Sequence, residues 1–169
     1  TNGFRYRPRP AFQNYYVSTS WLIRANQAYY QGENAPPFVL LGALALDQTL
    51  PGVADSLAFQ ELLFGYRPVL GEKTYLLLRR DAKAGAPRGP EVEFYKESLP
   101  FGRVVELAYS ESDLVWARLD IRPTWLGRLV GCLYKPPPVA LTCWRGQAAS
   151  PSVFRVPPQM AREGFLLNP

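Results

Sequence analysis

The 169-residue chain contains no histidine and only two cysteines. Histidine is the side chain whose unperturbed pKa lies near neutrality, so its absence excludes Ser-His-Asp and Cys-His nucleophilic catalysis within this chain. A tetrahedral zinc site is not expected from two cysteines, and the sequence motifs of nucleotide and calcium sites are missing as well. The sequence therefore predicts no catalytic residue, no metal and no cofactor.

Long apolar runs are also missing, because no stretch reaches the roughly 18 residues that a membrane-spanning helix needs. No signal sequence opens the chain, so we expect any signal or anchor to have been removed or to lie upstream. The two cysteines, Cys132 and Cys143, are too few to staple a chain of this size. Two buried thiols are favoured over a disulfide, although their redox state stays open.

Acidic side chains are scarce in the last part of the chain. The net charge is +5, and residues 121–169 carry six basic side chains and one acidic one. The densest basic run is an arm near the start that contains Arg5, Arg7 and Arg9. Nucleic-acid-binding proteins concentrate Lys and Arg on one face or element. We therefore predict no nucleic-acid partner and interpret the arm as solvated or as facing a membrane.

Helical spacing of apolar residues predicts two helices in the first half of the chain. The first is expected to follow the Ser-Thr-Ser caps and to end at Gly32. The second is expected to start at Asp55 or Ser56 and to stop at Gly65, with Pro68 just beyond. Both predictions rest on capping chemistry as well as on periodicity.

Two strands are predicted beside these helices. A continuous apolar run at 38–44 favours a strand buried on both faces, and residues 74–78 favour a second one. Helix, strand, helix and strand in this order indicate a small α/β lobe, which with the basic arm occupies residues 1–80.

A linker rich in Pro and Gly is predicted at residues 81–90. Beyond it, apolar and polar residues alternate in four short segments, as is typical of antiparallel strands. These segments are 92–95, 105–109, 115–121 and 139–144. Residues 124–134 instead keep helical spacing. The predicted class is α+β. Residues 91–169 are expected to form an antiparallel β-sandwich or jelly-roll-like lobe that contains one short helix.

The clearest candidate site lies on the third of these strands. Residues two apart on a strand point the same way, so Trp116, Arg118 and Asp120 share the face opposite the core. An indole stacks on the C–H face of a sugar while a guanidinium and a carboxylate bond its hydroxyls, which makes this face a candidate glycan site. Trp144, outward by the same parity, and Trp125 at the helix start would widen it. The open alternative is that the first lobe covers this face and Trp116 is a packing residue.

Carboxylates form a second candidate. Glu91 and Glu93 lie two apart on one strand face, and Glu111 and Asp113 flank a predicted turn. Glycosidases place two carboxyl groups about 5–10 Å apart across a cleft. Solvated strand faces and turn caps explain the same residues more simply, so this interpretation is the alternative.

Several stretches of the chain carry a resemblance to a known group of proteins. They are RPAFQNY at 9–15, APPFVL at 35–40, YRPV at 66–69, LLLRR at 76–80, FRVP at 154–157 and GFLLNP at 164–169. In them the chain resembles the soluble extracytoplasmic domain of polytopic bacterial inner-membrane proteins that have some likeness to membrane-embedded glycosyltransferases. The resemblance implies a periplasmic, membrane-tethered location and a role in handling surface glycans or lipid-linked sugars. It implies no catalytic residue here, since any transfer chemistry would belong to the membrane-embedded region of the parent protein.

The leading hypothesis is a non-catalytic accessory or binding domain of a membrane-associated envelope protein, with a glycan or lipid-linked sugar as ligand and the parent membrane region as partner. One alternative is a fragment of a carboxylate-dependent glycan hydrolase or transferase. Another is a purely structural interaction domain, which an exposed flat apolar patch would favour.

Overall fold

The computed structural model describes residues 8–11, 17, 19–42, 49–50, 52–82, 89–110, 112–134, 138–144 and 150–168. Within these ranges the elements are α1 (Ser20–Gln31), β1 (Phe38–Gly42), α2 (Ser56–Gly65), β2 (Tyr66–Glu72), β3 (Tyr75–Arg80), β4 (Trp116–Ala117), α3 (Trp125–Leu133), β5 (Ala140–Cys143), β6 (Ser152–Arg155), α4 (Pro158–Ala161) and β7 (Phe165–Leu166). All paired strands are antiparallel, which agrees with the α+β class. None of the helices in the described ranges combines the length and apolar character needed to cross a membrane.

Helix α1 confirms the capping prediction. The Thr19 hydroxyl accepts a hydrogen bond from the Leu22 N–H at 3.3 Å, which satisfies a donor that the first turn leaves open. At the other end, the Gly32 N–H donates to the Ala28 carbonyl at 3.0 Å. The buried residues of α1 are Ile23, Asn26 and Tyr30, which recur at the spacing of one helical face.

Helix α2 begins and ends where it was predicted, but the element that follows it was not predicted. Asp55 occupies the N-cap position, yet its side chain makes no capping hydrogen bond. After Gly65 the chain turns directly into β2, a strand that the sequence pattern did not predict. Pro68 lies in β2, where we expected it only to terminate the helix. This position is tolerated because β2 is an edge strand, in which a missing N–H need not break a ladder.

The three-stranded sheet has the order β1-β3-β2, so β3 is central. One face packs on the helices: Val39 and Leu41 contact a buried cluster of Tyr30, Ala58, Leu62, Tyr66 and Leu78. The prediction that β1 is buried on both faces is wrong, since Phe38 and Leu40 are exposed. Helices α1 and α2 both lie against the same face of this sheet, and none of the described residues covers the other face, which is called the open face below.

Residues 91–110 form neither helix nor strand, so the strands predicted at 92–95 and 105–109 are wrong. The later segments pair only briefly, as β4 with β7 and β5 with β6. These sheets are small and unclosed, and the expected sandwich is not confirmed. The helix predicted at 124–134 is confirmed as α3.

The largest buried cluster joins residues from both sides of the predicted linker. Its members are Leu50, Val53, Val156, Met160, Ala161 and Phe165. A parallel bridge between Thr49 and Arg155 runs beside it. The last part of the chain therefore shares a core with residues preceding α2. Residues 83–88 of the linker lie outside the described ranges, and the boundaries 1–80 and 91–169 stay a prediction.

Candidate ligand-binding surface

The parity predicted for the segment around β4 is confirmed on its inner side. Val115 is buried, and its N–H donates to the Asn168 side-chain oxygen at 2.7 Å. Ala117, Leu119 and Ile121 pack against the cluster that contains Phe165. The Leu119 N–H also donates to the Ala161 carbonyl at 3.0 Å. Alternation alone places Trp116, Arg118 and Asp120 on the opposite side of this segment.

Trp116 is half-buried, so it is neither the exposed platform residue nor the fully covered packing residue that the sequence left as alternatives. Its strand partner is Leu166 in β7, and its indole edge lies against Gly164. The indole Nε1 is buried and has no hydrogen-bond partner among the described residues. The indole is therefore partly a packing residue for the segment 164–167, and only part of the ring faces solvent. Sequence parity could not show this because Gly164 is 48 positions away.

Arg118 and Asp120 are exposed, and each takes part in separate surface ion pairs. Arg118 Nη2 lies 2.8 Å from Glu91 Oε2. Asp120 accepts from Arg122 Nε at 2.6 Å and from Arg162 Nη2 at 3.0 Å. The hydrogen bond from Arg122, reinforced by Arg162, lowers the pKa of Asp120. Asp120 is thus a persistent carboxylate, and the guanidinium groups keep further N–H donors for a ligand.

The other two tryptophans of the candidate site are well exposed. Trp144 is 54% exposed and follows β5, whose Leu141 packs on the same cluster as Ala117. Trp144 and the segment around β4 therefore belong to the outer surface of one core. Trp125 is 73% exposed on α3, a helix without buried residues. The structure does not hold Trp125 against this core.

The described carboxylates of the enzyme alternative take part in surface ion pairs and a turn. Glu91 and Glu93 are exposed and pair with Arg118 and Lys96, respectively. Asp113 accepts a hydrogen bond from the Ser110 N–H at 3.1 Å, as a turn cap does. Glu111 lies outside the described residues. Within the described ranges no group of three or more Cys, Asp or Glu side chains is placed to hold a metal ion.

Arg9, the last arginine of the basic arm, is placed differently from its prediction. Arg9 Nη1 lies 2.7 Å from Asp55 Oδ2, and the Arg9 side chain is mostly buried. Arg9 therefore anchors its segment to the interior instead of facing lipid. Arg5 and Arg7 lie outside the described residues, so their role as a membrane-proximal pair stays a prediction.

A buried polar cluster surrounds this ion pair and was not predicted. Asp55 is 2% exposed and accepts from Asn26 Nδ2 at 2.8 Å. The Ala11 N–H donates to Asn26 Oδ1 at 2.9 Å. Burial raises the pKa of Asp55 to about 6, although Arg9 and the Asn26 hydrogen bond act in the lowering direction. The cluster joins residues 9, 26 and 55, and no sequence pattern spans such separations.

We expect Gly164→Ala to lower the free energy of unfolding by about 1–3 kcal/mol. Gly164 has a positive φ of 94°, and a Cβ there would lie 2.7 Å from Trp116 Cδ1. The substitution should also shift the tryptophan emission, because the indole must move. Chemical denaturation followed by fluorescence measures both effects.

The matched control is Gly131→Ala in α3, where a Cβ meets open space. It should raise stability by up to about 1 kcal/mol, since alanine is the better helix former. Equal stability of Gly164→Ala and the unsubstituted protein would show that Trp116 does not rest on Gly164.

Comparison with protein-family models, with curated proteins and with solved structures finds no match to this chain.

Proposed function

We propose that this chain is an accessory binding domain of a membrane-associated envelope protein, with an extracytoplasmic, periplasmic location and a glycan as its ligand. The location rests on the sequence resemblance to extracytoplasmic domains. The glycan rests on one observation: a partly exposed indole lies beside an exposed guanidinium and an exposed carboxylate whose pKa is lowered by neighbouring arginines. These groups are Trp116, Arg118 and Asp120.

The proposed chemistry divides the ligand between an apolar and a polar contact. The exposed part of Trp116, together with Trp144, offers apolar surface for the C–H face of a sugar ring. Arg118 donates to ring hydroxyls, and Asp120 accepts from them. Both side chains already stand in ion pairs, so little side-chain freedom is lost on binding. Affinity on the order of millimolar is expected, because a shallow surface must offset the ligand's lost freedom.

Residues 91–110 are part of the same proposal. Val92 and Phe94 are exposed, and they alternate with charged residues as in a strand that lacks its partner. We propose that this stretch completes a sandwich-like lobe when the parent protein covers it. Covering would remove apolar surface from water, which is the main driving force for association.

Glycan titration followed by tryptophan fluorescence tests the ligand assignment. The probes are a disaccharide of N-acetylglucosamine and N-acetylmuramic acid, and a core oligosaccharide released from lipopolysaccharide. We expect the unsubstituted protein to respond, and Trp144→Ala and Asp120→Ala to weaken binding at least about fivefold through the loss of a platform and an acceptor. Trp116→Ala is a further variant, and its titration is interpreted only if the variant unfolds like the unsubstituted protein.

The matched control is Trp21→Ala, which removes from α1 a tryptophan that is more exposed than Trp144. Its binding should equal that of the unsubstituted protein. Equal responses from Trp144→Ala, Asp120→Ala and the unsubstituted protein would refute the assignment of this surface.

A second candidate is a structural interaction domain, and the open face of the three-stranded sheet favours it. The strand register places Leu40, Leu77 and Leu70 side by side across β1, β3 and β2. With Tyr75 and Glu72 they line a shallow apolar depression. This surface suits packing against the parent protein rather than recognition of a sugar, since apolar patches mark association sites.

A further inference from the structure

Helix α3 exposes an apolar face that no described part of the chain covers. None of its residues is buried. The apolar side chains fall on one face at helical spacing, while the opposite face carries two glycines and one arginine. The apolar face consists of Trp125, Leu126, Leu129, Val130 and Leu133, and the opposite face of Gly127, Arg128 and Gly131. The arrangement is that of an amphipathic helix with an empty docking face.

This helix is too short to persist in water through its own hydrogen bonds. It has nine residues, whereas isolated helices below about 12–15 residues are marginal. Its first turn is capped, because the Thr124 hydroxyl accepts from the Gly127 N–H at 3.1 Å. The two glycines lower its intrinsic helix propensity. Leu129 and Leu133 are 61% and 78% exposed, so no described part of the chain stabilises α3 by packing on these leucines.

The charge of the sequence on either side of α3 favours an anionic surface as the partner. Between residues 121 and 162 the chain contains no Asp or Glu. The same stretch carries six basic residues, Arg122, Arg128, Lys135, Arg145, Arg155 and Arg162, of which Arg122 and Arg162 pair with Asp120. A second copy of the chain would bring the same positive charge against this face, and like charges oppose pairing. A bilayer with anionic headgroups offers negative charge and apolar depth together.

We propose that α3 is an interfacial helix that lies on an anionic lipid surface and inserts its apolar face among the headgroups. Trp125 and Tyr134 stand exposed at its two ends, and such amphipathic rings favour the level of the headgroups. Arg128 on the opposite face stays at the level of the phosphates. The inference rests on the membrane-associated setting proposed above, but it does not depend on the glycan. In this proposal α3 contacts the lipid, whereas Arg9 pairs with Asp55 in the interior.

Vesicle binding by the purified chain tests this proposal. We expect vesicles of equal parts phosphatidylglycerol and phosphatidylcholine to bind at least about tenfold more tightly than pure phosphatidylcholine. Raising the salt concentration should weaken the binding. The double variant Leu129→Glu, Leu133→Glu should lose about 100-fold in affinity, since two leucines no longer enter the bilayer. Arg128→Gln should lose about fivefold. Trp125→Phe should abolish most of the blue shift that vesicles induce in tryptophan emission.

The control is Leu40→Glu on the open face of the sheet, which changes an equally exposed leucine and should bind like the unsubstituted protein. All these positions are exposed, so unfolding curves should stay unchanged. No binding at low salt, equal loss in Leu40→Glu, or a dimer that the α3 double variant abolishes would each overturn the proposal. The lipid proposal alone would be refuted if the unsubstituted protein did not bind vesicles while the double variant still responded to the glycan. Vesicle binding without any response to the glycans would refute only the assignment of a glycan ligand.

Discussion

Replacing Phe165 by alanine should lower the free energy of unfolding by about 3–5 kcal/mol. Phe165 is fully buried and belongs to the cluster formed with Leu50, Val53, Val156 and Met160. Removing its ring deletes a large apolar contact and leaves a cavity, because residues from distant parts of the chain surround it and relax only partly. The loss should appear in urea denaturation as a lower midpoint with an unchanged slope.

Phe101→Ala is the matched control for this prediction. Phe101 is 75% exposed, so the same truncation there should change stability by no more than about 0.5 kcal/mol. A loss below about 1 kcal/mol for Phe165→Ala would show that the end of the chain does not share a core with the residues before α2. Loss of the cooperative transition would show a larger effect in the same direction.

The second large effect is a pH dependence that originates at Asp55. Burial raises the pKa of Asp55 from 3.8 to about 6 in the folded protein. The folded state therefore holds the proton more tightly than the unfolded state does. The stability that this provides is full below pH 3.8 and is lost as the pH rises through about 6. The raised pKa contributes about 3 kcal/mol in total to the free energy of unfolding, and about 2 kcal/mol of this is lost between pH 4 and pH 7.

The variant Asp55→Asn isolates this contribution because asparagine keeps the shape and does not titrate. The free energy of unfolding of the unsubstituted protein, minus that of Asp55→Asn, should fall by about 2 kcal/mol from pH 4 to pH 7. Denaturant unfolding at several pH values measures this difference. A difference that is constant over the range, or one that rises, would contradict the raised pKa.

Asp120→Asn is the control with the opposite sign. Hydrogen bonds from Arg122 and Arg162 lower the pKa of Asp120, so its contribution is present above pH 3.8 and is lost only in more acidic solution. The difference between the unsubstituted protein and Asp120→Asn should therefore be flat from pH 5 to pH 7. The two carboxylates can thus be distinguished by the pH range in which each changes the free energy of unfolding.

The local features of this protein follow from residues close together in the sequence. Thr19 and Thr124 cap α1 and α3 because a side-chain oxygen reaches an N–H three residues on. The inward side of the segment around β4 follows from alternation, since neighbouring side chains on an extended chain point to opposite sides. The starts of these helices and the inward side of this segment could therefore be predicted from the sequence.

Which of these faces becomes buried was decided by contacts between distant residues. Alternation at 91–110 resembles a strand, yet a strand needs a partner, and none of the described residues pairs with this stretch. The sequence places Arg9 in an exposed arm. In the structure Arg9 forms an ion pair with Asp55, which lies 46 positions later. Gly164 likewise turns Trp116 from an exposed platform into a half-buried one. Capping and parity act within a few residues, whereas burial depends on the whole packed chain, and so only the tertiary structure determined it.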